Sequence, residues 1–173
     1  MLALPQDETF WRILDDVHAR SRGDMDRKCE LLEATLGALD DDALRSFAVN
    51  FRAALDALYT WDLWGAAYLL NGGCSDDAFG DFRSTLLSLG EATCRAALRD
   101  ANSLADVRFE GGDCCFEGFG YVVEELVEDR LGDDDPPRSP GPTGPAGEAW
   151  DEDDLPSRFP RLAGGSKPWW KFW

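Results

Sequence analysis

Apolar residues in this chain recur with the 3.6-residue period of an α-helix and almost nowhere with the two-residue period of a strand. The pattern is clearest at Leu44, Phe47, Ala48, Phe51, Leu55 and Leu58, which form one buried stripe and leave Arg45, Arg52 and Asp56 for solvent. Upstream, Phe10, Trp11, Ile13, Leu14 and Val17 predict a helix over Asp7 to Arg20, and Gly23-Asp24 breaks it. Met25, Cys29, Leu32 and Leu36 predict a second helix over Asp24 to Leu36, ended by Gly37, with Asp40 capping the third. Downstream, Phe79, Phe82, Leu86 and Leu89 predict a helix over Ser75 to Leu89, and Gly90 stops it. A short helix through Leu98 follows, and Ser103 starts a further turn. After the Gly111-Gly112 break, Phe116, Phe119, Val123 and Leu126 predict a last helix over Asp113 to Arg130. Val107 to Phe109 is the one strand-like hint, too short to build on. The expected fold is therefore all-α, an irregular multi-helix bundle.

The densest segment is Tyr59-Thr-Trp-Asp-Leu-Trp-Gly-Ala-Ala-Tyr-Leu-Leu-Asn-Gly-Gly-Cys-Ser-Asp-Asp77. Trp61, Trp64 and Tyr68 share one helix face, and Gly65 beside them leaves room for another backbone to approach. Asn71-Gly72-Gly73 reads as a C-cap because Asn and Gly tolerate the left-handed conformation. Ser75 reads as the next N-cap, with Asp76 and Asp77 opposing the positive end of the helix dipole. Three readings fit these residues: a well-capped helical corner, a binding corner, or a site for a hard cation. The candidate ligand- or partner-binding residues are Trp61, Asp62, Trp64, Tyr68, Asn71, Ser75, Asp76 and Asp77. Asp77 and Asp81, four residues apart on one helix face with Asp76 adjacent, form a group that could bind magnesium or act in acid-base work.

From Gly132 to Gly147 the periodicity stops. Proline and glycine are too dense for a helix, and glycine is too irregular for a collagen repeat. The expected organisation is a helical core at 1–131, a flexible Pro/Gly linker at 132–147 and a C-terminal segment at 148–173, acidic at first and then Trp-rich. Trp150, Leu155, Phe159 and Leu162 are spaced apolar anchors, so this segment is expected to fold back onto the helices. Pro168-Trp-Trp-Lys-Phe-Trp173 is expected to pack on the body, meet a protein or meet a membrane interface, in that order.

Composition narrows the function. The 173 residues carry 17 basic and 34 acidic side chains, for a formal net charge of −17. Such a surface repels phosphate backbones and anionic bilayers, so neither nucleic acid nor membrane is an expected partner. Five cysteines without a framework imply reduced thiols, hence a cytoplasmic protein, and Cys114-Cys115 reads as buried and inert. The opening residues lack the basic and apolar regions of a secretory signal. His18 is the single histidine, so His-based metal sites and a histidine-assisted nucleophile are poorly supported. No phosphate-binding loop or dinucleotide fingerprint is present, and no cofactor, metal or catalytic residue is assigned.

The Trp61-Asp-Leu-Trp-Gly-Ala-Ala-Tyr68 motif, followed by Asn71-Gly-Gly-Cys-Ser-Asp-Asp77 and Phe82-Arg83, resembles a bacterial family known as domain of unknown function 4240. Phe10-Trp11, Asp100 with Ser103 to Asp106, Trp150 to Pro156 and Phe159 to Leu162 are similar to it as well. The resemblance implies a small, soluble, mainly helical bacterial protein and carries over no activity. Two expectations follow. The first is a non-enzymatic interaction module, an adaptor or an immunity- or inhibitor-like protein, whose acidic surface engages a protein partner. The second is a small-ligand binder or hydrolytic enzyme using carboxylates of the Trp61–Asp77 corner.

Overall fold

The computed structural model describes residues 2–136 and 140–165. The fold is an all-α, irregular multi-helix bundle, and the described residues contain no β-strand. Its helices are α1 (Glu8–Ser21), α2 (Met25–Gly37), α3 (Asp41–Ala57), α4 (Trp61–Asn71), α5 (Asp76–Leu87), α6 (Glu91–Arg99), α7 (Phe119–Leu131), α8 (Leu155–Arg158) and α9 (Pro160–Gly165), with a 3-10 segment at Ala101–Asp106. The predicted starts hold because side-chain oxygens satisfy backbone donors that a helix cannot. Asp7, Asp24, Asp40, Thr60 and Ser75 each accept from the first turn of the helix that follows. Helix α6 is capped differently: its N-cap is Gly90, and the Asp15 carboxylate of α1 accepts from the Glu91 N–H at 3.0 Å.

Helix α3 runs through the core, with Leu44, Phe47, Ala48, Phe51 and Ala54 buried. A file of aromatic rings links it to α1 and α7, from Phe10 through Phe47 and Phe51 to Phe119, at centroid spacings of 5.1, 6.2 and 6.5 Å. Helix α7 packs on α2, α3 and α5. It starts at Phe119, later than the spacing predicts. Phe116 lies outside it with its ring against Gly118, where any Cβ would collide. Counting from Phe119, the inward positions are Val123, Val127 and Leu131, and Leu126 is only half-buried.

Two residues expected in solvent are not. The Arg52 guanidinium is clamped between Glu124 (2.7 Å) and Asp135 (2.7 Å), with 16% of its side chain exposed. Asp56 is half-buried beside Gly141. Residues 132–147 therefore meet the α3 face at Asp135 and Gly141. They then exchange backbone hydrogen bonds with the chain entering α4: Ala146 N–H to Tyr59 O and Trp61 N–H to Ala146 O, both 2.9 Å. Residues 137–139 of this stretch, and the Pro168–Trp173 end, lie outside the described residues.

The C-terminal segment folds back, as expected. Leu155, Phe159 and Leu162 are buried against the helices. They cover α4, which is apolar on nearly all sides. An all-apolar helix must be covered all round. Leu63, Ala66 and Ala67 are buried, and the tail covers the face about Gly65. Gly65 does permit a close approach, but by side chains rather than backbone. A Cβ there would sit 2.8 Å from both Leu155 Cδ2 and Phe159 Cε2.

Candidate functional site

The aromatic half of the signature corner is a packing device. Trp61 stacks on Trp64 at 5.5 Å with rings 11° apart, and Trp64 stacks on Phe79 at 5.0 Å and 12°. Trp150 of the tail stands edge-on to Trp61 at 5.8 Å and tilts against Tyr68 at 5.6 Å. The indole N–H groups of Trp64 and Trp150 have backbone partners. Trp64 Nε1 donates to Cys74 O at 3.0 Å, and Trp150 Nε1 donates to Trp61 O at 2.7 Å. Buried aromatic N–H groups normally require such acceptors. The Glu152 carboxylate beside the Tyr68 hydroxyl, with burial, raises the phenol above its ordinary range.

The polar half divides into caps and pairs. Ser75 Oγ accepts from Ala78 N–H at 3.2 Å, and Asn71 Nδ2 donates to Gly73 O at 3.0 Å across the turn. Gly72, at φ 70°, supplies the left-handed C-cap. Asp62 pairs with Arg158 of α8 at 2.6 Å. Asp76 and Asp77 are exposed on the first turn of α5. The structure thus brings Trp61, Asp62 and Tyr68 against the tail and sets Trp64 against Trp61, Phe79 and Cys74 O. It leaves Asn71, Ser75, Asp76 and Asp77 at the far end of α4, around the Gly-Gly turn.

A second polar joint fixes the tail. Arg161 reaches Asp106 at 2.6 Å, and its N–H donates to Asn102 Oδ1 at 3.2 Å. The tail around Trp150 and Arg161 therefore meets the helical body at Trp61 and Asp106.

Three features were not assembled from the sequence. The first is a cleft of about 620 Å³ between α3, the N-terminal Leu2-Ala3 and the proline stretch, bordered by Arg52, Asp56, Arg83 and Glu124. Arg83 is held there under Tyr59, with its guanidinium carbon 4.7 Å from the ring centre and Nη1 donating to Leu55 O at 3.1 Å. Burial lowers its pKa, and burial raises that of Asp56. The second is the outward face of α7, where Tyr121, Glu125, Glu128 and Asp129 are all exposed and Asp133 and Asp134 continue the acid. The spacing of Tyr121, Glu125 and Glu128 signals a shared face, but a face shows no partner until the opposite side is seen buried.

The third is a group of thiols. Cys74, in the turn before α5, donates its thiol to Ser75 O at 3.6 Å, and the Cys114 and Cys115 sulfurs lie 3.8 Å apart. Cys114 is buried, while Cys74 and Cys115 are half-buried. Donation from Cys114 lowers the Cys115 pKa, against burial and Asp113, and the Cys114 pKa is raised. In the sequence 39 residues separate Cys74 from Cys114. Only the vicinal pair was legible. Nearby, burial and then the charges of Glu117, Cys115, Asp77 and Asp113 raise the Asp81 pKa.

No group of three or more His, Cys, Asp or Glu side chains among the described residues is disposed to hold a metal ion. No described helix is long and apolar enough to cross a membrane. No curated protein and no solved structure matches the chain. The family model described as "Protein of unknown function (DUF4240)" matches residues 6–129, from the residue before the N-cap of α1 to the last turn of α7, and the chain belongs to that family.

Proposed function

We propose that the chain is a non-enzymatic interaction module of a bacterial cytosol, an adaptor or an immunity- or inhibitor-like protein, engaging a basic protein partner through the outward face of α7. The observation that carries this reading is the composition of that face. Tyr121 is 55% exposed, beside Glu125, Glu128 and Asp129, with Asp133 and Asp134 beyond. An exposed tyrosine ringed by unmatched charge is the residue pattern of a recognition surface. The nearby Arg130 is turned away, onto Asp41 and the Leu36 carbonyl at the end of α2. The net charge of −17 adds a field that speeds encounter with a cation-rich surface.

Affinity capture tests this, with the parent chain compared against Tyr121→Ala and the double variant Glu125→Lys/Glu128→Lys. Both change exposed positions, so folding should persist, as circular dichroism would show. The reading expects a stoichiometric basic partner, lost in both variants and weakened by salt. Partners captured equally by all three proteins would overturn it.

A small anionic ligand in the α3 cleft is the second reading, favoured by the position of Arg83. A thermal-shift screen of small carboxylates and phosphates, with Arg83→Lys as control, separates it from the first. The carboxylates of the Trp61–Asp77 corner lend no support to a hydrolytic role, since Asp62 is paired and the others flank helix ends.

A further inference from the structure

We propose that the cleft between α3, Leu2-Ala3 and the proline stretch binds a free α-amino acid with an apolar side chain, its carboxylate on Arg83 and its ammonium on Asp56. This deepens the cleft reading given above, and rests on it, by naming the class of ligand. It is independent of the α7 reading, which uses other residues.

Three observations carry it. First, two opposite charges stand in the cleft unmatched. Arg83 of α5 donates Nε to Phe79 O at 3.4 Å and Nη1 to Leu55 O at 3.1 Å. Among the described residues its Nη2 has no hydrogen-bond partner, the Asp56 carboxylate of α3 has none, and neither residue forms an ion pair. Both groups reach solvent, because the one sealed side-chain polar atom without a partner there is His18 Nδ1. The other two charges at the cleft are matched within the fold: Arg52 bonds Glu124 and Asp135, each at 2.7 Å. Arg83 and Asp56 still sense each other, since the guanidinium charge offsets part of the burial that raises the Asp56 carboxyl.

Second, the rest of the lining is mainly apolar, with Leu2, Val49, Leu55, Pro140 and Pro142 on it. Leu2 is 54% and Val49 48% exposed, and they are two of the three large hydrophobics left exposed among the described residues. Large apolar groups that converge on one concave surface mark a place for an apolar ligand group. Third, the site has room and is held in shape. Its volume of about 620 Å³ suits an amino acid with an aliphatic or aromatic side chain. The Arg83 guanidinium is fixed by its two carbonyls and by the Tyr59 ring, 4.7 Å from the ring centre. Gly141 beside Asp56 has no side chain to cover the carboxylate, and a Cβ there would stand 3.3 Å from Oδ1.

Charge selects among ligands. A simple carboxylate answers Arg83 but brings a like charge toward Asp56. A simple amine answers Asp56 but brings one toward Arg83. A zwitterion answers both with charge-assisted hydrogen bonds and adds no net charge to a half-buried site. The ammonium and carboxylate of an α-amino acid sit on one carbon, which fits two protein groups close enough to interact.

The test is isothermal titration calorimetry of the full chain with L-leucine, isocaproate and isoamylamine. All three carry the same branched apolar group, and the last two each lack one of the charges. Leucine should bind one site at least about ten-fold tighter than either. Asp56→Asn, folded by circular dichroism, should weaken leucine by about ten-fold or more and leave isocaproate as tight or tighter. Val49→Ser, at an exposed position, should weaken leucine several-fold. Isocaproate binding as tightly as leucine would leave a carboxylate site standing and overturn the amino acid. Isoamylamine binding as tightly as leucine, leucine binding unchanged in Asp56→Asn, or no binding of leucine would overturn it too. The cleft reading itself falls only if isocaproate and inorganic phosphate also fail to bind.

Discussion

Gly65→Ala is the substitution that most directly tests how the tail is held. Two effects oppose each other. Alanine favours the interior of α4 over glycine by about 1 kcal/mol, through lost backbone entropy in the unfolded chain. Against this, the new Cβ would stand 2.8 Å from Leu155 Cδ2 and Phe159 Cε2 and 3.1 Å from Trp150 Nε1. Optimal carbon contacts lie at roughly 3.5–4.0 Å, so both neighbours must move by more than half an ångström. Leu155 is fully buried and Phe159 is 4% exposed, which leaves them little room. Overpacking of this kind costs about 1–3 kcal/mol. The collision wins, and the expected net loss is about 1 kcal/mol, with the tail loosened first. Urea denaturation gives the stability change, and limited proteolysis of residues 148–165 reports the loosening. The mechanism is isolated by a double-mutant cycle with Leu155→Ala. That substitution alone should cost about 2–5 kcal/mol. On its background the Gly65 change should turn neutral or stabilising, because one of the colliding groups is gone. A stabilisation of about 1 kcal/mol in the parent background, or strict additivity in the cycle, would refute the close packing of the tail on α4.

Three further outcomes are expected. Ser75→Ala removes the cap on α5 and should lower stability by about 0.5–2 kcal/mol in thermal or urea melts. Arg52→Met should cost about 1.5–3 kcal/mol, since it removes the charge-assisted hydrogen bonds from Arg52 to Glu124 and Asp135 on a half-buried face, and a loss unchanged in strong salt would argue against an ionic cause. Asp81→Asn should stabilise the chain at neutral pH. Because the folded Asp81 pKa is raised, the folded state holds the proton that the unfolded state releases. Stability contributed by protonated Asp81 is therefore present below the ordinary carboxylate range and is lost as pH rises through the folded pKa. The difference between variant and parent should vanish in acid and open above that range, and equal melting curves at neutral pH would contradict the crowding of Asp81 by Glu117, Cys115, Asp77 and Asp113.

What could be read from the chain was local. Asp7, Asp24, Asp40 and Ser75 cap the helices they precede because a cap involves only atoms a few residues away. The stripe from Leu44 to Phe51 faces inward because helical period alone puts those side chains on one side. The anchors Leu155, Phe159 and Leu162 announced burial, since large apolar groups are costly to leave in water. The tertiary structure decided which surface received them. Trp61, Trp64 and Tyr68 share a face by spacing, yet only the returning tail shows that this face binds the chain's own Trp150. Arg52 and Asp56 read as solvent positions until Glu124, Asp135 and Gly141 closed over them. Helix α6 takes its cap from Asp15, 76 residues away, where no local pattern could point. The Cys114–Cys115 loop lies on α5 because the Phe116 N–H donates to Thr85 Oγ1, a partner no local pattern names. Periodicity reports which side of an element is apolar, and partner choice depends on shape and charge brought together by distant segments.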